Sequence, residues 1–199
     1  MVHIIKEDLD KDNYYKYSGI DTTEEITCDK NLGYIRFKNS VITTKSIILG
    51  LGNGIIAGYG IIAGDEIKAG GGIIAGDEIK AGREIIAGWG IEAGDEIIAG
   101  WGIIAGFGII AGYGIEAGYG IIAGGEIIAG WGIEAGGEII AGLSIICRGI
   151  LKFSYQLFAG TCTWRKTTEK DLIVECGKLE TDGKIVLGNL IETGNKWKI

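Results

Sequence analysis

The stretch Ile55–Ser144 reads IIAGYG IIAGDE IKAGGG IIAGDE IKAGRE IIAGWG IEAGDE IIAGWG IIAGFG IIAGYG IEAGYG IIAGGE IIAGWG IEAGGE IIAGLS, fifteen hexads in one unbroken phase. A period held over that length marks a repeat architecture and not accidental low complexity. In every hexad the first residue is Ile, the third Ala and the fourth Gly, and only the second, fifth and sixth vary. In an extended segment the first and third side chains share one side and the second takes the other, so Ile and Ala face inward together. The Gly then supplies a tight corner. A single such strand cannot bury its Ile, which calls for coil stacked on coil with backbone hydrogen bonds along the axis. The expected fold is all-β, a parallel β-solenoid of hexapeptide repeats.

Coil length follows from what the interior must hold. A spacing of twelve would stack Trp89, Trp101 and Tyr113, whereas a spacing of eighteen pairs Trp89 with Phe107, Trp101 with Tyr119 and Tyr113 with Trp131. Eighteen is preferred, because three Ile and three Ala fill a triangular core while a twelve-residue coil leaves little interior. Five coils at ~4.8 Å per layer make a rod roughly 24 Å long.

Outward from the repeats the chain divides into an N-terminal β-rich cap (1–54), the repeat region (55–150, in which Ile145–Ile150 reads IICRGI and loses the motif) and a C-terminal β-rich module (151–199). Lys6–Tyr17 predicts a short helix, and EEITC and GYIRFKNSVITTKSIILG read as strands leading into the solenoid. Asn53 and Gly54 break the period just before Ile55. Asp182 and Gly183 lie between LIVECGKLE and KIVLGNLIE and predict a hairpin. Small capping modules are expected at both ends, because an open solenoid end exposes unpaired strand edges.

The formal charge of −7 is concentrated in the repeats, where residues 55–144 hold twelve acids and three bases. No apolar run reaches membrane-spanning length, and Met1–Asp12 lacks a signal-peptide core, so a soluble cytoplasmic protein with no membrane partner is expected. The cysteines Cys28, Cys147, Cys162 and Cys176 match neither a CxxC pair nor a zinc site and read as free thiols.

Chemistry is sparse. His3 is the only histidine and lies outside the repeats, and Ser144 is the only serine or threonine inside them, so neither a general base nor a nucleophile is in place there. The acidic pairs Asp65–Glu66, Asp77–Glu78 and Asp95–Glu96, taken as neighbours along a strand, point to opposite faces and suit neither glycosidase chemistry nor calcium. No catalytic residue, cofactor or metal site is expected, and the chain reads as a non-enzyme. Position two is Ile in ten hexads, and with the aromatic fifth positions the outside carries more apolar area than a solitary rod needs.

The AGDEII and AGWGII phases resemble the hexapeptide-repeat left-handed β-helix, with the large and small inward positions exchanged, and the resemblance covers about half the chain. Many enzymes of that family are acyltransferases with a histidine base, which the repeats here lack. An acidic repetitive rod is also similar to pentapeptide-repeat DNA mimics, although its charge, about one per 2.7 Å, is thinner than the roughly one per 1.7 Å of duplex DNA. Hexads of the GIKAG or GIEAG type ahead of a segment like FAGTCTWRKTTE, here Phe158–Glu169, resemble uncharacterised phage and prophage proteins. Together these imply an anti-defence, anti-CRISPR-like inhibitor acting in the host cytoplasm. Its expected partner is a nucleic-acid-binding host defence protein, a homodimer is possible, and the acidic repeats are not expected to bind nucleic acid directly. The expected partner-binding residues are Asp65, Glu66, Asp77, Glu78, Asp95, Glu96, Trp89, Trp101, Trp131, Trp164 and Arg165. Two alternatives stand beside it. One is a self-associating structural solenoid; the other is a ligand-binding or enzymatic C-terminal module built on Trp164, Arg165, Lys166, Glu169 and Glu175.

Overall fold

Ile73 pairs with Ile55, Ile91 with Ile73, and Ala75 with Ala57, so each coil holds eighteen residues and identical residues stack. The computed structural model describes residues 1–194; residues 195–199 of the expected C-terminal module lie outside the described residues. The chain is an all-β parallel solenoid, and the described residues form three sheets of ten, nine and nine strands. Successive hexads visit the sheets in turn. The sheet containing Ile55–Ala57 and Ile73–Ala75 is here the first, that containing Ile61–Ala63 the second, and that containing Ile67–Ala69 the third.

The hexad pattern explains this cross-section. The repeat Ile residues are 0–1% exposed and their Ala partners at most 3%, while every second position is half-buried or exposed. Large Ile and small Ala alternate across each inner face, which fills a narrow triangle without voids. Backbone pairing also continues round the corners. Gly76 N–H donates to Ala57 C=O at 3.0 Å, Asp95 N–H to Asp77 C=O at 3.1 Å, and Ile73 N–H to Gly90 C=O at 3.0 Å. At these positions the bends carry the same axial ladder as the strands.

Position-four Gly is required for a reason other than turn geometry. None of these repeat glycines has positive φ. A Cβ on Gly94 would lie 1.9 Å from the carbonyl oxygen of Gly76, and one on Gly76 would lie 2.1 Å from that of Gly58. Stacked corners touch backbone to backbone, and only hydrogen fits between them.

The β-rich flanks extend the same three sheets beyond the five repeat coils, with a changed spacing. Ile35, Val41 and Ile47 lie under Ile55, Ile61 and Ile67, twenty residues apart, so two extra residues are accommodated near Leu51–Asn53. The fully buried Asn53 holds this irregularity. Its amide donates to Asp29 C=O at 2.8 Å, and its carbonyl accepts from Leu32 N–H at 2.7 Å. At the N-terminal end Lys6–Tyr17 makes one 3-10 turn, Lys6–Asp8, in place of the expected helix. Asp10 accepts from the N–H groups of Asp12 and Tyr14, both at 2.9 Å, a local arrangement that competes with helix. Leu9 from this segment is buried against the core.

No hairpin forms at Asp182–Gly183. Lys178–Thr181 stacks in parallel on Ile150–Phe153 in the second sheet, and Lys184–Leu187 on Gln156–Ala159 in the third. The dipeptide is one more corner, and a Cβ on Gly183 would lie 2.2 Å from the Tyr155 carbonyl oxygen. The largest departure from the rod is the excursion Gly160–Leu172, which leaves after the third-sheet strand Gln156–Ala159 and returns with Val174 stacked on Ile145. It contains most of the Phe158–Glu169 segment singled out above.

Candidate binding surface

The eighteen-residue turn sorts the variable positions onto three faces and three corners. On the second face the outward ladder reads Ile62, Lys80, Ile98, Glu116, Glu134, Lys152 and Glu180. The first face reads Ile56, Ile74, Glu92, Ile110 and Ile128 over the repeats, and the third Lys68, Ile86, Ile104, Ile122 and Ile140. Polarity is thus unequal round the rod. Two faces are largely aliphatic and the second is charged.

The acidic pairs sit in the bends and not along strands, which corrects the expectation that their members point to opposite sheet faces. Asp77–Glu78 and Asp95–Glu96 stack in adjacent coils on the first corner, between the first and second sheets. Trp131 belongs to the same corner, stacked on Tyr113 at 6.3 Å with 9° between the rings. Glu96, Glu116, Glu134 and Trp131 line a groove of about 270 Å³ there. Lys152 pairs with Glu134, and hydrogen bonding to that carboxylate raises the lysine's pKa. The first corner is acidic, and the second face beside it adds Glu116, Glu134 and Glu180 together with the cations Lys80 and Lys152.

Asp65–Glu66 lies apart, on the second corner, between the second and third sheets. Arg83, one coil above, donates to Asp65 at 3.2 Å, and its guanidinium lies 5.5 Å from the Trp101 ring. Trp101 and Tyr119 follow on the same ladder beside a groove of about 490 Å³.

Trp89, Trp164 and Arg165 meet on the third corner. Trp89 and Phe107 are 6.2 Å apart, and the next residue of the ladder is Gly125, which has no side chain. Trp164, delivered by the excursion, packs on Phe107 at 6.4 Å. The excursion is anchored by backbone bonds from Gly160 and Cys162 to Leu143 and Gly142, at 3.0 and 2.9 Å. Arg165 donates both terminal nitrogens to Asp171 at 2.8 Å, and Asp171 also accepts from Thr168 N–H. The Arg165 guanidinium holds the Asp171 carboxyl well below the usual carboxylate range. Arg165, Asp171 and Thr168 thus brace the excursion itself, an arrangement suited to positioning Trp164.

The eleven residues singled out from the sequence therefore occupy three corners and make no single patch. Sequence reasoning missed Glu84, Glu138, Ile104 and Ile122, which with Trp101 and Tyr119 surround the second-corner groove. Reading the sixth positions every eighteen residues, Glu84, Gly102, Gly120, Glu138, would have found it. It also missed that His3 lies between Thr27 Oγ1 (2.8 Å from Nδ1) and Asp29 Oδ1 (3.1 Å from Nε2). That trio stands on an exposed sheet surface, where water reaches all three groups.

All four cysteines are free, and Cys147 and Cys176 take the inward third position that Ala holds in the repeats. Burial pushes the Cys147 thiol up to about 12 and the Cys176 thiol to about 11. Among the described residues no group of His, Cys, Asp and Glu converges as metal ligands would, and no helix is long and apolar enough to cross a membrane. No protein-family model matches this chain, and comparison with curated proteins and with solved structures finds no match either.

Proposed function

We propose that this chain is a non-catalytic binding protein that offers its second face and first corner to a basic protein surface of the kind that grips nucleic acid. The observation that carries the reading is the segregation of charge. Asp77, Glu78, Asp95, Glu96, Glu116 and Glu134 gather on one side, in layers ~4.8 Å apart, and the opposite side is aliphatic. One strand of DNA places a charge every ~3.4 Å, a density that a layered row of carboxylates, two per layer in places, can match, although the rod stays below the one charge per ~1.7 Å of the duplex. Trp131 adds a flat apolar surface beside the charges, where an arginine stacks well. The partner class proposed, from the resemblance read in Phe158–Glu169, is a nucleic-acid-binding host defence protein, with inhibition by occupancy as the mechanism.

The test is competition. Immobilised protein should retain heparin-binding host proteins, duplex DNA should displace them, and reversing Asp77, Asp95, Glu116 and Glu134 to Lys should abolish retention while circular dichroism is unchanged. Retention that survives both duplex DNA and the charge reversal would discard the mimicry reading.

A second reading, self-association, is favoured by a separate observation. The aliphatic first and third faces meet at the Trp89–Phe107–Trp164 edge, and a second copy would bury that edge. Sedimentation should then give a dimer that Phe107→Lys dissociates, and a monomer at all concentrations would remove it.

A further inference from the structure

The second-corner groove has a composition that the acidic face does not share. Over four consecutive coils its sixth positions are Glu84, Gly102, Gly120 and Glu138, so two carboxylates stand at the ends of a gap with no side chains in it. Neither carboxylate has an ion-pair partner among the described residues. Trp101 and Tyr119 form one wall of the gap, and Ile104 and Ile122 of the third face form the other. The gap stays open because a Cβ on Gly102 would meet nothing nearer than 3.5 Å, so its glycine is not dictated by packing. This sets it apart from the position-four glycines, where backbone contact leaves no choice.

We infer that this groove binds an extended peptide segment of a protein partner, with basic side chains four residues apart and one apolar or aromatic side chain between them. The spacing follows from the two repeats. Three coil steps of ~4.8 Å put the carboxylates roughly 14 Å apart along the axis, and four residues of extended chain span about 13 Å. A peptide lying along the rod would therefore bring its two cations to Glu84 and Glu138 and its central side chain between Trp101 and Ile104. The corner already displays this chemistry within the chain, since Arg83 lies over Trp101 with Asp65 as its counter-ion. Arg83 is thereby neutralised, and Glu84 is left to the ligand. The Trp101, Tyr119, Ile104 and Ile122 side chains suit an apolar group, and the two carboxylates at the ends call for cations, a combination that a basic peptide supplies and an uncharged sugar does not. The inference does not depend on the acidic face, since its residues line a different corner.

Fluorescence polarisation with two labelled peptides tests it, KGLGK and the spacing control GKLKG. Wild-type protein should bind the first about tenfold more tightly, Gly102→Leu should weaken that binding about tenfold by filling the gap, and Glu84→Gln with Glu138→Gln should remove the spacing preference. Trp101→Ala is the second block to the same site, should Gly102→Leu perturb the fold. Glu116→Lys with Glu134→Lys, which disables the acidic face, should leave the preference intact. Equal affinity for both peptides, or binding unaffected by Gly102→Leu and Trp101→Ala, overturns the proposal; so does loss of the preference in the acidic-face variant, because attraction would then be general.

Discussion

The coils from Ile55 to Ser144 and the coils on either side of them share three sheets but fill the interior differently. The central coils use only Ile and Ala, stacked like on like, and tolerate no change of spacing over ninety residues. The outer coils place Phe37, Thr43, Leu49, Cys147, Phe153 and Cys176 in the same inward slots and absorb insertions of two residues near Leu51 and of many more at Gly160–Leu172. Uniformity gives the centre an uninterrupted outer surface on which patterns can run for many layers. Irregularity gives the ends their buried Asn53 and the excursion that carries Trp164. Regular coils present surfaces, and irregular ones hold special contacts.

The strongest way to break the comparison is to place one substitution at two glycines. Gly94→Ala should cost about 3 kcal/mol or more, since its Cβ meets the Gly76 oxygen at 1.9 Å and the stacked corners cannot part locally. Gly102→Ala, whose Cβ would make only an ordinary contact at 3.5 Å and which has no positive φ, should raise stability by ~0.4–1 kcal/mol through the unfolded chain. Urea midpoints that move together for the two variants would mean that the corner stacking is not the constraint.

Next in size is Asn53→Ala, which leaves the buried Leu32 N–H unpaired, removes the part-buried bond to Asp29 C=O, and should cost about 1–3 kcal/mol, chiefly through the Leu32 group. The loss should appear in hydrogen exchange as early opening of the N-terminal coils while the repeats stay protected, as expected of a molecule whose coils contact only their neighbours.

The excursion sharpens the contrast through pH. With its folded carboxyl pKa lowered by Arg165, Asp171 contributes stability that is fully present above the unfolded value, ~3.9, and is lost only as pH falls through the lower folded one. Exchange at residues 161–171 should thus be similarly protected at pH 7 and pH 4.5, and Asp171→Asn should raise it several-fold with little change in the global urea midpoint. Global loss would show that the excursion is a structural part of the rod.

The smallest effect is expected for Cys147→Ala, which gives an outer coil the residue that the central coils use in that slot. It should change stability by less than ~1.5 kcal/mol, and in the wild type this thiol and Cys176, both buried, should react more slowly with a disulfide reagent at pH 8 than the half-buried Cys28 and Cys162. Rapid labelling would show that the coil opens there.

The legible part of the fold was the part governed by periodicity. Ile and Ala spacing settled the inward positions, and the demand for a filled triangle selected eighteen residues per turn. Two of the three aromatic pairs expected at that spacing, Trp89–Phe107 and Tyr113–Trp131, are in ring contact. In the third, the Trp101 ring instead receives Arg83, whose long side chain reaches it from the coil below. The flanking coils were harder to read because their turns are not eighteen residues: Ile26 lies above Val2, and Leu190 above Val174. Asp182–Gly183 misled because a solenoid corner and a hairpin turn favour the same small residues. The groove between Glu84 and Glu138 escaped notice for another reason: its residues are neighbours only across coils and look unrelated along the chain.

The eighteen-residue turn also imposes a second kind of reading frame, counted in hexads and taken in threes. Losing or gaining three hexads, as slippage within so repetitive a coding sequence would readily produce, shortens or lengthens the rod and leaves every later residue on its original side. Losing one hexad rotates everything beyond it by a third of a turn. The excursion would then emerge over the ladder of Trp101 and Tyr119, away from Phe107, and the charged and aliphatic sides would be scrambled halfway along the rod. Variation in repeat number is therefore silent in multiples of three and disruptive otherwise, and fifteen is one of the permitted counts.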